Sequence, residues 1–446
     1  PGRPYPLRGV QRQSKIYSRG IGGRRPPIPS DASRLEAKAR RRMPRHAFAY
    51  VAAGAGTEGT VHENRRAFER WRIVPRMLRD VSTRDTSVEI LGRRLPGPLL
   101  LAPIGVLELA HPEADLAVAR AARATGVPMV LSSQASRPME EGARALGDAP
   151  RWFQLYWSTS NELVESFVAR AEASGCEAIV VTLDTTLLGW RSRDLDLAYL
   201  PFLRGKGIAQ YTSDPVFRRL LQQDSDGGPS TERPPLSLAA LRTLVQLTRA
   251  YPEAFPRALI SGRARAAVER FVAIYSRPSL TWSDLPFLRE RTRLPILLKG
   301  ILHPDDARRA VEAGMDGVIV SNHGGRQVDG AIATLDALPG VVQAVGGQVP
   351  VLLDSGVRSG ADAFKALALG AAAVQIGRPY VYALAIAGEA GVRALVENLL
   401  ADLDLTMGLA GCRSVAEIDP GALSRPVGLG AQPDRLGAET APAART

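Results

Sequence analysis

The sequence predicts one large α/β domain, a TIM (β/α)8 barrel preceded by a helical extension and interrupted by a long lid insertion after its fourth strand. Short apolar runs alternate with helical stretches through most of the 446 residues. Successive runs are separated by the length of one strand–helix unit, with a single long gap. The hydrophobic content of 45% is ample for the core of such a domain.

Eight apolar runs are interpreted as the barrel strands. Each is short and rich in aliphatic residues, and each leads into polar or glycine-containing sequence, as parallel strands do where they enter loops. The runs are Leu99–Pro103, Pro128–Ser132, Arg151–Tyr156, Ala178–Leu183, Pro295–Lys299, Gly317–Val320, Val351–Asp354 and Ala373–Ile376. Eight such units predict a closed barrel with its active site at the carboxyl ends of the strands.

The remaining sequence is assigned to flanking segments and one insertion. Residues 1–95 are expected to form an N-terminal extension with helices such as Ser33–Ala52, and residues 96–411 the barrel. Residues 192–290 form the insertion after the fourth strand, a candidate lid because it enters the rim that carries barrel active sites. Residues 412–446 are rich in Pro, Gly and Ala, which predicts a disordered tail or an arm on another subunit.

The insertion has a basic amphipathic character between residues 222 and 277. Leu238, Leu241, Val245 and Thr248 fall on one helical face, and arginines surround them. A lid or a subunit contact is the favoured interpretation. Contact with a membrane surface is the weaker alternative, because the apolar stripe is narrow and has no cluster of Trp or Phe.

Composition excludes several classes of protein. The net charge of +12 comes from basic residues spread along the chain, and no nucleic-acid-binding module accompanies them. The basic first thirty residues are followed by no apolar run of the kind found in signal peptides or membrane spans. Cys176 and Cys412 provide neither a disulfide framework nor zinc-ligand spacing, so we expect a cytoplasmic protein without a metal site.

The segment Ser321–Asp329 carries the clearest functional signal. It follows the sixth strand and places a histidine and an arginine three residues apart on a glycine-rich loop. His323 can exchange protons near neutral pH, and Arg326 offers a planar pair of donors for a carboxylate. The pair suits an enzyme that binds a small acid and removes a proton beside its carboxylate.

Other strand ends carry polar residues that suit such a site. Lys299 ends the fifth strand in a chain whose only other lysines are at positions 15, 38, 206 and 365, which suggests a need for a compact charge. Gln154 and Tyr156 alternate on one side of the third strand. Glycine turns followed by Arg358 and Arg378 come after the last two strands, where barrels often bind phosphate. No GxGxxG motif follows a strand, so NAD is not expected.

These motifs resemble those of one enzyme family. SNHGGRQVDGAIATLDALP, beginning at Ser321, closely resembles the active-site loop of the FMN-dependent 2-hydroxy acid oxidoreductases. AFAYVAAGAGTEGT, beginning at Ala47, and LDTTLLGWRSRDLDLAYLPFLRGKGIAQYTSDPVF, beginning at Leu183, are similar as well. The similarity extends over roughly residues 10–411. It implies FMN as cofactor and a small L-2-hydroxy acid as substrate.

The resemblance implies roles for individual side chains. His323 would be the base, Asp184 would pair with it, raise its pKa and fix its tautomer, and Lys299 would stabilise the reduced flavin. The residues implied in catalysis are His323, Asp184, Tyr156 and Lys299, and those implied in substrate binding are Tyr50, Arg191, Arg326 and Tyr156. Gln134 and the lid would face the substrate side chain.

The resemblance also implies a set of FMN-binding residues. These are Pro103, Ile104, Gly105, Ser132, Gln154, Thr182, Lys299, Ser321, Asp354, Gly356, Arg358, Gly377 and Arg378. Among them, Gly105 would control the space over the flavin and hence the access of oxygen.

Within the family the similarity is greatest to the lactate 2-monooxygenase branch. The implied reaction converts L-lactate and oxygen into acetate, CO2 and water, provided that pyruvate and hydrogen peroxide are held together until they react. Release of the 2-keto acid and hydrogen peroxide would make the same protein an oxidase. A membrane-associated dehydrogenase that passes electrons to quinone is a further alternative. The family also implies a homotetramer or a homo-octamer.

Overall fold

This computed structural model describes residues 9–223 and 237–425. The described part begins with four helices that lie outside the barrel. They are α1 (Gly9–Ile21), α2 (Ala32–Arg42), α3 (Arg45–Ala52) and α4 (Gly59–Glu69). The predicted single helix Ser33–Ala52 is wrong, because it is broken between α2 and α3. Pro44 causes the break: it has no N–H to donate, and it restricts Met43 to an extended conformation with ψ 147°.

Three short strands precede the barrel: β1 (Arg72–Ile73), β2 (Val88–Ile90) and β3 (Arg93–Leu95). The last two form an antiparallel hairpin. Ile90 and Leu95 are buried in the same apolar cluster as the side chains inside the barrel. Because this hairpin leads directly into the first barrel strand, it covers the amino-terminal end of the barrel and leaves the opposite end for the loops.

Eight parallel strands close into the barrel, which confirms the predicted fold class. They are β4 (Leu99–Leu101), β5 (Met129–Ser132), β6 (Arg151–Leu155), β7 (Ile179–Thr182), β8 (Ile296–Ile301), β9 (Gly317–Val320), β10 (Val351–Leu353) and β11 (Ala373–Ile376). The last strand pairs with the first, Val374 opposite Leu99, and so completes the ring. Every predicted strand is present, and no end differs by more than two residues.

The inside of the barrel changes from apolar to polar toward the carboxyl ends of its strands. The apolar layer consists of Leu100, Val130, Trp152, Val180, Leu297, Ile319, Leu352 and Ala373. Because side chains alternate along a strand, the residues two positions further on also point inward. These are Ala102, Ser132, Gln154, Thr182, Lys299, Ser321, Asp354 and Gln375. We call the polar members of this second set, from Ser132 to Gln375, the polar ring.

Helices alternate with the first strands and then give way to the insertion. The helices after β4, β5 and β6 are α5 (Ala114–Thr125), α6 (Met139–Leu146) and α7 (Asn161–Ala173). The insertion between β7 and β8 contains α8 (Ser192–Asp196), α9 (Ala209–Thr212), α10 (Pro215–Gln223), α11 (Leu238–Ala250), α12 (Phe255–Ser261), α13 (Arg263–Ile274) and α14 (Leu285–Arg289). The insertion therefore follows the fourth barrel strand, as predicted.

Aromatic side chains anchor the insertion to the barrel. Tyr211 packs edge-on against Phe271 with ring centroids 4.8 Å apart, and Phe271 lies 5.3 Å from Phe202. The predicted apolar face of α11 is divided: Leu238 and Leu241 are exposed, whereas Thr248 is buried. Only the carboxyl-terminal half of α11 packs inward, so its first turns present apolar side chains to solvent.

The last helices complete the barrel and carry the chain ends. They are α15 (Pro304–Glu312), α16 (Thr334–Val345), α17 (Gly360–Ala368) and α18 (Arg378–Ala410), the last of which is interrupted by non-helical backbone at Ala387 and Gly388. Strand β12 (Leu423–Ser424) pairs with β1. Residues 412–425 thus lie on the N-terminal extension of their own chain. For residues 426–446, outside the described part, a tail or arm stays a prediction.

The N-terminal helix α1 is fastened to α18 by buried charges. Arg12 Nη1 lies 2.5 Å from Glu397 Oε2, and the backbone N–H of Gly9 donates to Asp404 Oδ2 at 2.7 Å. Asp404 also accepts two hydrogen bonds from Arg84, at 2.9 and 2.8 Å. Segments that are distant in sequence are therefore joined through one carboxylate.

Candidate active site

A cleft of about 1160 Å³ opens at the carboxyl ends of the barrel strands. It is lined by nearly all of the residues that the sequence assigned to a site. Those lining it are Tyr50, Pro103, Ile104, Gly105, Gln154, Tyr156, Thr182, Arg191, Lys299, His323, Arg326, Asp354, Gly356, Arg358, Gly377 and Arg378. Gln134 lines it as well. The structure therefore brings together residues from the N-terminal extension, the strand ends and the insertion.

Three predicted residues lie behind the cleft lining and contact residues that face it. Asp184 Oδ1 lies 2.7 Å from His323 Nδ1. Ser132 Oγ donates to Gln154 Oε1 at 3.2 Å, and Ser321 Oγ accepts from Lys299 Nζ at 2.7 Å. These three side chains support their neighbours from behind.

The imidazole of His323 is held in a fixed orientation. Its backbone has φ +56°, in the left-handed region, which turns the side chain out of the strand direction. With Nδ1–H donating to Asp184, Nε2 is left with a lone pair that can accept a proton. Thr185 Oγ1 lies 3.2 Å from Nδ1 and also donates to Asp184 Oδ1.

A glycine allows the carboxylate to approach so closely. Gly300 follows Lys299 in β8 with φ +108°, and a Cβ there would lie only 2.8 Å from Cβ of Asp184. Any other residue would push Asp184 away from His323. The Lys-Gly pair at the end of the fifth barrel strand thus has a steric role that its sequence position alone did not reveal.

Burial and neighbouring charges shift the protonation of this pair. Burial, assisted by the charges of Lys299 and Arg191, lowers the pKa of His323 below its ordinary value of 6.5, although Asp184 opposes the shift. Asp184 raises the pKa of the imidazole, as expected, but burial outweighs this effect and the net shift is downward. Burial alone would raise the pKa of Asp184, yet Lys299 and His323 lower it overall. The site therefore holds an ionised Asp184 beside a neutral imidazole.

Lys299 belongs to the same buried group of charges. Its Nζ lies 3.1 Å from Asp354 Oδ2 and 3.8 Å from Asp184 Oδ2. Although burial alone would lower the pKa of Lys299, these carboxylates raise it well above its ordinary value. The ammonium is therefore permanently charged at the floor of the cleft.

Two arginines lie at one end of the cleft, near His323. Arg326 Nη1 donates to the backbone oxygens of Tyr50 and Ala53, at 2.6 and 2.8 Å. Arg191 Nη2 donates to Gln327 Oε1 at 2.9 Å. Burial, followed by the charge of Arg191, lowers the pKa of Arg326 to about 9. Two buried guanidinium groups that repel each other favour the binding of an anion.

A second pair of arginines lies near the ends of β10 and β11. Arg378 donates to the backbone oxygens of Val51, Gly324 and Ala53, which fixes its guanidinium. Burial, followed by the charge of Arg378, lowers the pKa of Arg358 to about 10. Two guanidinium groups beside glycine turns suit this part of the cleft to a phosphate. The same pattern in the sequence led us to expect a phosphate site here.

The cleft also contains residues that the sequence did not single out. Tyr275 enters it from the end of α13, with its ring stacked on Phe271 at 5.1 Å. Phe202 lines it from the insertion and packs edge-on against Tyr50 at 6.4 Å. Gln375 lines it from β11. The strand alternation Ala-Val-Gln-Ile points Gln375 inward and offered a signal for it, whereas no periodicity marks Tyr275 or Phe202.

The fold and this cleft define a class of protein, a barrel enzyme with a base, a carboxylate site and a phosphate site. The model of the FMN-dependent dehydrogenase family matches residues 39–425. The chain therefore belongs to this family, and it is an FMN-dependent oxidoreductase of the 2-hydroxy acid class.

Individual relatives are similar over most of their length. An L-lactate oxidase from Lysinibacillus sphaericus is 42% identical over 389 residues, which cover 87% of this chain and 91% of that protein. A 4-hydroxymandelate oxidase from Amycolatopsis orientalis is 42% identical over 381 residues, covering 85% and 94%. The crystal structure of a mandelate oxidase with (S)-4-hydroxymandelic acid has a TM-score of 0.73 at 38% identity, covering 89% of this chain and 98% of that one.

The cleft fits FMN by a test that is independent of these comparisons. Buried polar atoms of its lining have no hydrogen-bond partner within the described residues: Gln154 Nε2, Thr182 Oγ1, and both amide atoms of Gln375. Buried polar groups are normally paired, so these atoms indicate a polar molecule. The flavin ring carries donors and acceptors along one edge, and the phosphate suits Arg358 and Arg378. Within the described residues, no helix is long and apolar enough to cross a bilayer.

Proposed function

We propose that this protein oxidises L-lactate with oxygen to acetate, CO2 and water, as a lactate 2-monooxygenase. The observation that carries the proposal is the neutral imidazole of His323, held by Asp184 in the same cleft as the Arg191–Arg326 pair. Bound FMN would supply the redox chemistry, the transfer of an electron pair from the 2-carbon of the substrate to oxygen. The first products are pyruvate and hydrogen peroxide, which combine to give acetate, CO2 and water.

Substrate binding is assigned to the arginine end of the cleft. Arg191 and Arg326 would hold the carboxylate, because their remaining N–H groups and mutual repulsion favour an anion. Tyr50 would contribute its hydroxyl, and the cation of Arg326 lies 5.1 Å from its ring centroid. Tyr156 would donate to the substrate hydroxyl: burial raises the pKa of Tyr156 to about 12, so its phenol stays protonated.

Proton transfer is assigned to His323. Nε2 would accept a proton from the substrate while Asp184 balances the charge that forms on the imidazolium. Lys299 would supply a fixed positive charge where electrons arrive, and it is already oriented by Ser321 and Asp354. Ile104, Gly105 and Ser132 keep the cofactor-binding roles that the resemblance implies.

Retention of pyruvate is assigned to the insertion. Tyr275, Phe202 and Leu188 line the cleft from segments that lie between β7 and β8. These bulky side chains would slow the departure of pyruvate from the cleft and give hydrogen peroxide time to react with it. This contact supports a lid role for the segments that carry these three residues, whereas none of the cleft-lining residues belongs to α11.

An oxidase that releases pyruvate and hydrogen peroxide is the second candidate. It is favoured by the relatives named L-lactate oxidase, the Lysinibacillus protein among them. Both candidates share the same catalytic residues and differ only in how long pyruvate stays. A homotetramer or homo-octamer is proposed from the family resemblance, and a cytoplasmic location from the free, buried Cys176 and Cys412.

The deciding experiment is turnover of purified holoprotein with L-lactate in air, with acetate and pyruvate both quantified. Mostly acetate would support the monooxygenase. Mostly pyruvate with an equal amount of hydrogen peroxide would support the oxidase. Absence of both would refute lactate as substrate and direct the search to bulkier 2-hydroxy acids such as mandelate.

A further inference from the structure

Asp194 is a buried carboxylate beside the substrate arginines. It lies on α8, three residues after Arg191, and is only 8% exposed. Neither of its oxygens receives a hydrogen bond from any described residue. A carboxylate in such a place is unfavourable unless nearby charges offset its burial. Since no hydrogen bond stabilises the carboxylate of Asp194, nearby positive charges must offset its burial.

The cations whose charge acts on Asp194 are Arg326, Arg191 and Arg193, in that order. Arg193 forms an ion pair with Glu58, so these two charges neutralise each other. Arg191 and Arg326 form no ion pair within the described residues. Asp194 is thus the anion available to the two arginines that line the cleft.

The hydrogen bonds of these two arginines go to neutral groups. Arg326 donates to backbone oxygens of Tyr50 and Ala53, and Arg191 to the side-chain amide oxygen of Gln327. Their positive charges are therefore not cancelled by their own contacts. An ionised Asp194 therefore offsets part of the positive charge of the two arginines.

We propose that Asp194 restricts the arginine pair to acids that carry one negative charge, and so acts as a positioning and selectivity residue for the substrate carboxylate. The inference rests on the proposed function, since it assumes that Arg191 and Arg326 bind the substrate. A monocarboxylate brings a single negative charge to the two arginines. A dicarboxylate brings a second negative charge against the buried carboxylate of Asp194.

Burial raises the pKa of Asp194 above its ordinary value, although Arg326 and Arg191 oppose the shift. A second negative charge in the cleft would raise it further, so a dianion and the Asp194 carboxylate oppose each other. Replacement of Asp194 by asparagine removes this penalty while preserving the shape of the side chain.

The test uses two ligands of the same shape, oxamate and oxalate, which carry one and two negative charges at neutral pH. Their dissociation constants are measured on the holoenzyme from the change in absorbance of bound FMN. In Asp194→Asn we expect oxalate to gain about tenfold relative to oxamate, because the repulsion between two nearby, poorly solvated negative charges is removed. Asp196→Asn is the matched control, because Asp196 lies exposed on the same helix, and its ratio should equal that of the wild type.

The comparison of charge-keeping and charge-removing variants separates selectivity from folding. Asp194→Glu should keep the wild-type ratio of the two dissociation constants, and Asp194→Ser should change it as asparagine does. An unchanged ratio in the uncharged variants, or equal weakening of both ligands, would overturn the inference. Failure of both uncharged variants to bind FMN while Asp194→Glu binds it would show a structural role and also overturn it.

Failure of the proposed function would look different. A wild-type holoenzyme that binds neither ligand and oxidises no 2-hydroxy acid would remove the basis of both proposals. Normal lactate oxidation with a ratio insensitive to Asp194 would remove only the selectivity inference.

Discussion

At the scale of single residues, the protonation of His323 makes a prediction about pH. Because burial lowers its folded-state pKa, the imidazole stays neutral, and able to act as a base, to a pH below 6.5. We expect the acid limb of kcat/KM against pH to lie below 6.5. As the pH falls, the imidazole of His323 is protonated in the unfolded chain before it is protonated in the folded protein. His323 therefore lowers the free energy of unfolding at acidic pH. A limb above 6.5 would mean that Asp184 dominates.

Gln375 gives a second prediction at this scale. Both atoms of its amide are buried and unpaired in the described structure, so FMN is their expected partner. Gln375→Leu should weaken FMN binding by about tenfold, the value of one net hydrogen bond. Fluorescence titration of the apoprotein with FMN measures this, with Gln343→Leu, on the exposed face of α16, as control. Unchanged affinity together with a higher melting temperature would place the amide outside the FMN site.

The residues found from sequence and those missed differ in how their positions are set. His323, Lys299 and Arg358 follow strands, so the barrel topology brings them together once the strands are recognised. Asp194 and Tyr275 lie in the insertion, where their positions depend on tertiary packing such as the stack on Phe271. The net lowering of the His323 pKa was not predictable either, because it comes from burial, and the depth of burial is a property of the complete fold.

At the scale of elements, the insertion should control the products. Tyr275→Ala removes a bulky side chain from the lining of the cleft. Pyruvate should therefore leave sooner, and the ratio of pyruvate to acetate should rise several-fold. Phe255→Ala is the control, because Phe255 lies on α12 of the same insertion and does not line the cleft. Quantification of both products during lactate turnover provides the measurement. An identical ratio in both variants would remove Tyr275 from the lid.

Element boundaries show where local rules sufficed and where they did not. All eight strands were predictable from apolar runs and spacing. The break at Pro44 follows from proline stereochemistry and was available in the sequence, but the helical pattern on both sides concealed it. The half-exposed α11 was not predictable, because the depth to which Leu238 or Thr248 is buried depends on which surface the helix meets.

At the scale of the whole molecule, Asp404 should be important for stability. It joins α1, Arg84 and α18, and Arg84 is largely buried. Asp404→Ala leaves the Arg84 charge unpaired and should lower the free energy of unfolding by about 3 kcal/mol. Glu389→Ala, which breaks an exposed pair with Arg120, should cost at most about 1 kcal/mol. Urea unfolding of both holoproteins tests the difference, and equal losses would contradict it.

The polar ring has a consequence for how the protein matures. Its members come from successive strands, and the last of them, Gln375, lies just before the phosphate-site pair Gly377 and Arg378. A nascent chain that ends before β11 would lack the seam that joins the last strand to the first. Cofactor uptake would therefore await synthesis of the final strand–helix unit, and the yellow colour of the flavin would report that the ring has closed.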